Sequence, residues 1–240
     1  MSMSLCSLRK AWVYWMNRHF FRELLEENPR LLQKMMQFNG RALELYHLPR
    51  GGIWDAVERY PNVVAALTRG QTKEDSLALR EPVYWGFTEE SHRLAFLSST
   101  EIARLSRIVA VAVYAEEIAK TVDRKSVLAV KKFLGEDLYD YGLSRARFQI
   151  GGLRKSLLTV FDHGSLPERL AWMARLSVEV MRRKWPLELV EKTDSVFSQL
   201  DYPSLPANVQ VSDEVRRQLW YFMKKIILRE FDQKWAQYFA

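Results

Sequence analysis

Between Ser99 and Gly142 the chain reads STEIARLSRIVAVAVYAEEIAKTVDRKSVLAVKKFLGEDLYDYG, and no other stretch constrains the fold as tightly. Ile102, Leu105, Val109 and Ala112 or Val113 recur at helical spacing and make one apolar stripe. Ser98, Ser99 and Thr100 are three N-cap residues in front of it, and Asp123 is placed to cap a second helix. Gly135 is placed to end that second helix as a left-handed C′ residue, after which a third begins at Glu136. This pattern implies two or three packed helices, and none of the residues in it forms a catalytic constellation.

The same signals continue along the chain. A helix is expected over Leu5–Glu27, with Asn28-Pro29 as its stop, and a short one over Leu31–Phe38 ended by Asn39-Gly40. Residues 41–60 read as irregular, a short helix follows from Pro61 to Gly70, and Gln71–Gly86 is polar and loop-like. Beyond the central block, helices are expected over Glu136–Gln149, Leu153–Phe161, Ser165–Lys184 and Leu187–Gln199. Pro203 and Pro206 make 201–212 a connection, with room for a short strand at Val209–Val211. A last helix is expected over Ser212–Tyr238, with Val215, Leu219, Phe222, Ile226, Phe231 and Trp235 as its stripe. Nothing alternates with period two for long enough to demand a sheet. The expectation is an all-α chain, a multi-helix domain of about eight to ten helices, with 1–86 as an N-terminal lobe with irregular connections and 87–240 as the main body.

Composition agrees. Hydrophobic residues make up 48%, with eight Trp and twelve Phe to fill a core, while ten Gly and eight Pro are too few for many short strands or for disorder. One Cys can form no intramolecular disulfide and no cysteine zinc site, which points to a reducing compartment, most simply the cytosol. Arg9, Lys10, Asn17 and Arg18 interrupt the first apolar stretch, and the longest apolar run, Ile108–Ala115, is far short of the roughly 20 residues of a membrane span.

The residues that carry chemistry elsewhere are scattered here. There is no P-loop, no HExxH and no nucleophile elbow, and His19, His47, His92 and His163 lie far apart. Asp162-His163 reads as a turn, Gly151-Gly152 as an interhelix break, and Cys6 as a small apolar filler. Glu116-Glu117, with Lys120 three to four residues on, reads as a solvated helix face. No catalytic residue, metal ligand or cofactor site is expected.

Positive charge is concentrated. The chain carries a formal +7. Within 145–184 nine basic residues (Arg145, Arg147, Arg154, Lys155, Arg169, Arg175, Arg182, Arg183, Lys184) face three acids (Asp162, Glu168, Glu179), an excess of six. Such a stretch is either a solvated face or a surface for an acidic protein, nucleic acid or anionic lipid. Without a zinc finger, an RNP-like strand or a helix-turn-helix signature, an acidic protein is the better expectation. The residues proposed to dock it are Arg145, Arg147, Arg154, Lys155, Arg175, Arg182, Arg183 and Lys184.

Ile102–Ile118, Val127–Phe133 and the run Leu134-Gly135-Glu136-Asp137-Leu138-Tyr139, together with Phe38-Asn39 and Tyr46-His47-Leu48-Pro49 upstream, carry a family resemblance. Over Phe38–Phe148 the chain resembles the SctK family of bacterial type III secretion systems, which includes the proteins YscK, MxiK and OrgA. The resemblance implies a non-enzymatic adaptor of the cytosolic sorting platform, without cofactor, at the cytosolic face of the inner membrane. Such adaptors join the forkhead-like cytosolic domain of the inner-membrane ring protein to the pod protein. The alternative from the residues themselves is a helical regulatory or nucleic-acid-binding protein using the basic face 145–184.

Overall fold

A computed structural model describes residues 23, 27–39, 84–161, 163–206 and 209–239. The chain is all-α. Among the described residues there are nine α-helices, three short 3-10 segments and no strand. In chain order the helices are α1 (Pro29–Phe38), α2 (Ser99–Lys120), α3 (Arg124–Leu134), α4 (Glu136–Ser144), α5 (Leu153–Leu158), α6 (Leu166–Arg182), α7 (Leu187–Phe197), α8 (Asp213–Glu230) and α9 (Ala236–Phe239). The 3-10 segments are Glu90–Phe96, Ala146–Phe148 and Gln233–Trp235. The helices expected over Leu5–Glu27 and Pro61–Gly70, Cys6, His19, His47 and the Tyr46–Pro49 motif lie largely or wholly outside the described residues. None of the described helices is long and apolar enough to cross a membrane.

Two compact units divide the chain. One comprises Met1–Phe96 and Pro186–Thr193, the other Leu97–Trp185 and Asp194–Ala240. In the first, Asn28-Pro29 opens α1: the Asn28 side chain accepts the Leu31 N–H at 3.0 Å and Pro29 takes the first turn, where its missing N–H costs nothing. Leu31, Leu32, Met35 and Met36 are buried, and Phe38 meets Phe87 and Phe96 edge-on. Asn39 ends the helix fully buried and fully employed. Its amide donates to Met35 O (3.0 Å) and Tyr84 O (2.8 Å), and its oxygen accepts the Tyr84 N–H (3.1 Å). A buried amide left unpartnered would cost about 1–3 kcal/mol, so these bonds tie residue 84 to the end of α1.

The second unit is built around α2. Ser98 forms a capping box with Glu101, the serine hydroxyl accepting the Glu101 N–H and the carboxylate accepting the Ser98 N–H at 2.9 Å. The expected single stripe understates the burial of this helix, since every residue from Ile108 to Ala115 is buried. A helix buried on all sides needs neighbours on all sides. Here α3, α4, the Ala146–Phe148 turn, α5, α6 and α8 all pack against it, with α6 making the largest contact. Gly142 of α4 admits this approach: a Cβ there would lie 2.9 Å from the Val111 side chain.

Local signals at the other helix ends are read correctly. Asp123 caps α3 by accepting the Ser126 N–H at 2.8 Å. Gly135 takes φ +83° and ψ 161°, a corner of backbone space open essentially to glycine alone, and so turns α3 into α4. Ser165 and Glu168 form the second capping box, at the start of α6. Three expectations fail. The helix expected over Glu136–Gln149 stops at Ser144, and a separate 3-10 turn follows at Ala146–Phe148. Residues 209–211 form no strand. The last helix stops at Glu230, Phe231 is extended, and Asp232 caps a new turn by accepting the Lys234 N–H at 2.9 Å. The break lets Trp235 and Phe239 fold back, with Phe239 6.2 Å from the Trp220 ring and the Trp235 indole N–H donating to Glu101 at 2.9 Å.

Candidate functional site

The basic stretch 145–184 is divided by the fold among three places: the end of α4 with the turn after it, the short α5, and α6 with the two residues beyond it. Most of its cations are already engaged. Arg154 reaches α2, where its Nε–H donates to Val113 O at 2.9 Å and its guanidinium pairs with Glu116. The Arg154 hydrogen bond and charge hold the Glu116 carboxyl below its ordinary value. Arg169 pairs with Glu117 through both nitrogens, Nη1 to Oε1 at 3.2 Å, and lies 5.1 Å above the Tyr114 ring. Glu116 and Glu117 are therefore not the plain solvated face expected from their spacing to Lys120. They are the anchors by which α5 and α6 grip α2.

From the C-terminal half of α6 and just beyond it, Arg175 and Arg183 hold the segment that returns to α8, while Arg182 reaches α7 and Lys184 reaches α8. Arg175 pairs with Glu179 and donates to Tyr202 O at 3.1 Å and Pro203 O at 3.4 Å. Arg182 pairs with Asp194 at 3.3 Å and stacks 4.3 Å from the Phe197 ring. Arg183 donates to Val209 O at 3.3 Å and lies 3.8 Å from Glu179. Lys184 meets Asp213 at 3.3 Å, and its hydrogen bond, with that of Arg216, holds the Asp213 carboxyl low. The connection carries no ladder of its own, so its carbonyls need donors from elsewhere, and the arginines supply them. The Tyr202 hydroxyl completes the clamp against Ser106 Oγ at 2.6 Å.

Arg145 is mostly exposed, 3.8 Å from Glu230, and sits over the Tyr141 ring. Arg147 stacks 4.4 Å from the exposed Phe148 ring. Lys155 is exposed. The fold draws least on these three members of the proposed docking set.

A second cationic group was missed by counting charge over 145–184. α3 contains Arg124, Lys125, Lys131 and Lys132 and no acid, and Lys120 ends α2 just before it. Lys131 is used locally: it pairs with Glu136 at 2.7 Å, a bond that raises its ammonium, and sits over Tyr139. Lys120, Arg124, Lys125 and Lys132 are exposed and form no ion pair among the described residues. Between them, Val122 is 90% exposed and Leu128 56%. Asp123 stands among them as an ionised carboxylate, held low by the Ser126 N–H and hydroxyl and in smaller part by Lys125, so four cations face one acid and the group stays net positive. The sequence signal was available: a helix of four cations and no acid lacks the compensating charges that α8 shows in Asp213–Arg216 and Glu214–Arg217.

Clefts open among the described residues of this unit. One, of about 180 Å³, lies against Arg175, Glu179, Arg182, Phe197 and Tyr202, where Arg175 pairs with Glu179 and Arg182 with Asp194. Another, of about 340 Å³, is lined by Ser156, Thr159, His163, Gln210 and Ser212. His163 stands in the turn as expected, exposed, its ring 5.4 Å from Trp172. No three His, Cys, Asp or Glu side chains among the described residues converge on a metal position.

No protein family's sequence profile matches the chain, no curated protein does, and no solved structure does.

Proposed function

We propose that the chain is a non-enzymatic helical adaptor of the type III secretion sorting platform, joining the forkhead-like cytosolic domain of the inner-membrane ring protein to the pod protein. The observation that carries this reading is the block that resembles the SctK family. Ser99–Gly142 forms α2, α3 and α4 packed together, and the exposed Lys120, Arg124, Lys125 and Lys132 at its outer surface form no ion pair among the described residues. A rigid buried helix beneath an unneutralised surface suits a protein that works by docking. The nucleic-acid-binding alternative is supported less, because it relied on the 145–184 cations, and Arg154, Arg169, Arg175, Arg182 and Lys184 are occupied within the fold.

The test is co-purification of the full chain with a ring protein's cytosolic domain and with a pod protein of such a secretion system. Retention of both supports the adaptor reading. Retention of neither, at low and at physiological salt, contradicts it, and steeply salt-dependent retardation of a DNA duplex would favour the alternative.

A further inference from the structure

We infer that the corner between α2 and α3 is a docking surface for an acidic amphipathic segment of a partner protein, with Leu128 and Val122 as its apolar contacts. The inference deepens the docking reading by naming the surface and the chemistry of its partner, and it does not depend on that partner belonging to a secretion apparatus.

Helical spacing gathers the residues. Val130 and Leu134 are buried on the inner side of α3, while Lys125, Leu128, Ala129 and Lys132 are exposed. Leu128 is four residues after Arg124, three after Lys125 and four before Lys132, so the cations surround it on one outward stripe. Val122 projects from the link in front of the helix. An apolar centre inside a charged rim is the anatomy of a protein-docking patch.

Two features separate this patch from an ordinary solvated face. First, four cations here face the single carboxylate of Asp123 and none of them is in an ion pair among the described residues, whereas Arg216 and Arg217 of α8 pair with Asp213 and Glu214 of their own helix. Second, Arg124 and Lys125 stand in the first turn of α3, where the helix dipole disfavours cations. An acidic partner would relieve both. A membrane surface fits less well, because interfacial binding draws on aromatic and larger apolar area, and this corner offers one valine and one leucine.

The experiment uses the full chain and a synthetic amphipathic helix with leucines along one face and glutamates elsewhere, followed by fluorescence anisotropy. Wild type is expected to bind it, more weakly as salt rises. Arg124→Glu/Lys125→Glu/Lys132→Glu is expected to lose about tenfold or more in affinity and to gain binding to the lysine counterpart of the peptide. Leu128→Asp is expected to weaken binding without that exchange. Equal binding of the acidic peptide by wild type and the triple variant overturns the inference. So does binding of phosphatidylserine vesicles or DNA with no binding of the peptide. If the peptide binds through this corner but the ring and pod proteins do not co-purify, the surface stands and the adaptor identity falls. If those proteins co-purify equally well with the triple variant and the peptide does not bind, the adaptor stands and this surface falls.

Discussion

Arg169 on α6 and Lys125 on α3 carry the same charge on helices that both pack against α2, yet they do different things. Arg169 is half-buried, paired with Glu117 and stacked on Tyr114. Lys125 is exposed, with no carboxylate in ion-pair reach among the described residues. The first kind of cation is part of how the helices hold together. The second contributes little to the fold and, at a helix N-terminus, opposes it slightly. Net charge along the sequence therefore does not locate a docking surface. The stretch 145–184 has the larger excess, but its arginines spend it on carbonyls and carboxylates of the same unit. The smaller group on α3 remains available.

The largest effect that could break this comparison is at Arg169. Arg169→Ala should cost about 2 kcal/mol of stability, since it removes a two-nitrogen charged bond and leaves Glu117 without its partner. Denaturant unfolding would show this as a lower midpoint with an unchanged slope. A loss within error would mean that the paired arginines are as dispensable as the exposed lysines.

An acid extends the same contrast. The Glu101 carboxyl is partly buried, which by itself would raise it, but the Ser98 N–H and hydroxyl and the Trp235 indole N–H bring it below its ordinary 4.5. A carboxyl lowered in the folded state adds stability that is full above pH 4.5 and is lost as pH falls through the depressed value. Glu101→Gln should therefore be less stable than wild type by about 1 kcal/mol at neutral pH. The gap should close in acid, and unfolding midpoints at descending pH would follow it.

The smallest effect should have the opposite sign. Lys125→Glu should raise stability by about 0.5 kcal/mol, because an anion in the first turn of α3 suits the dipole. A fall of similar size in thermal unfolding would reveal that Lys125 supports the fold.

The helix framework was legible because its signals are local. Ser98 with Glu101, Ser165 with Glu168, Asp123 with Ser126 and Gly135 each act within a few residues. The end of the last helix was encoded but passed over: its stripe steps by three or four residues to Ile226 and then by five to Phe231, where the helix breaks. The roles of the charges were not legible, because their partners are distant in sequence. Arg154 finds Glu116 across 38 residues and Arg169 finds Glu117 across 52. Local spacing offered Lys120 instead. One readable signal, passed over, was the absence of any acid within α3.

Central to the account is that Arg154, Arg169 and Arg182 hold the fold together while Arg124, Lys125 and Lys132 do not. The most direct measurement compares chemical unfolding of Arg154→Glu/Arg169→Glu/Arg182→Glu with that of Arg124→Glu/Lys125→Glu/Lys132→Glu, each in the full chain. The first set should lose several kcal/mol or fail to fold, because each reversal sets like charges against each other at a packed contact. The second set should unfold within about 1 kcal/mol of wild type. Equal losses in the two sets, or a larger loss in the α3 set, would contradict the account.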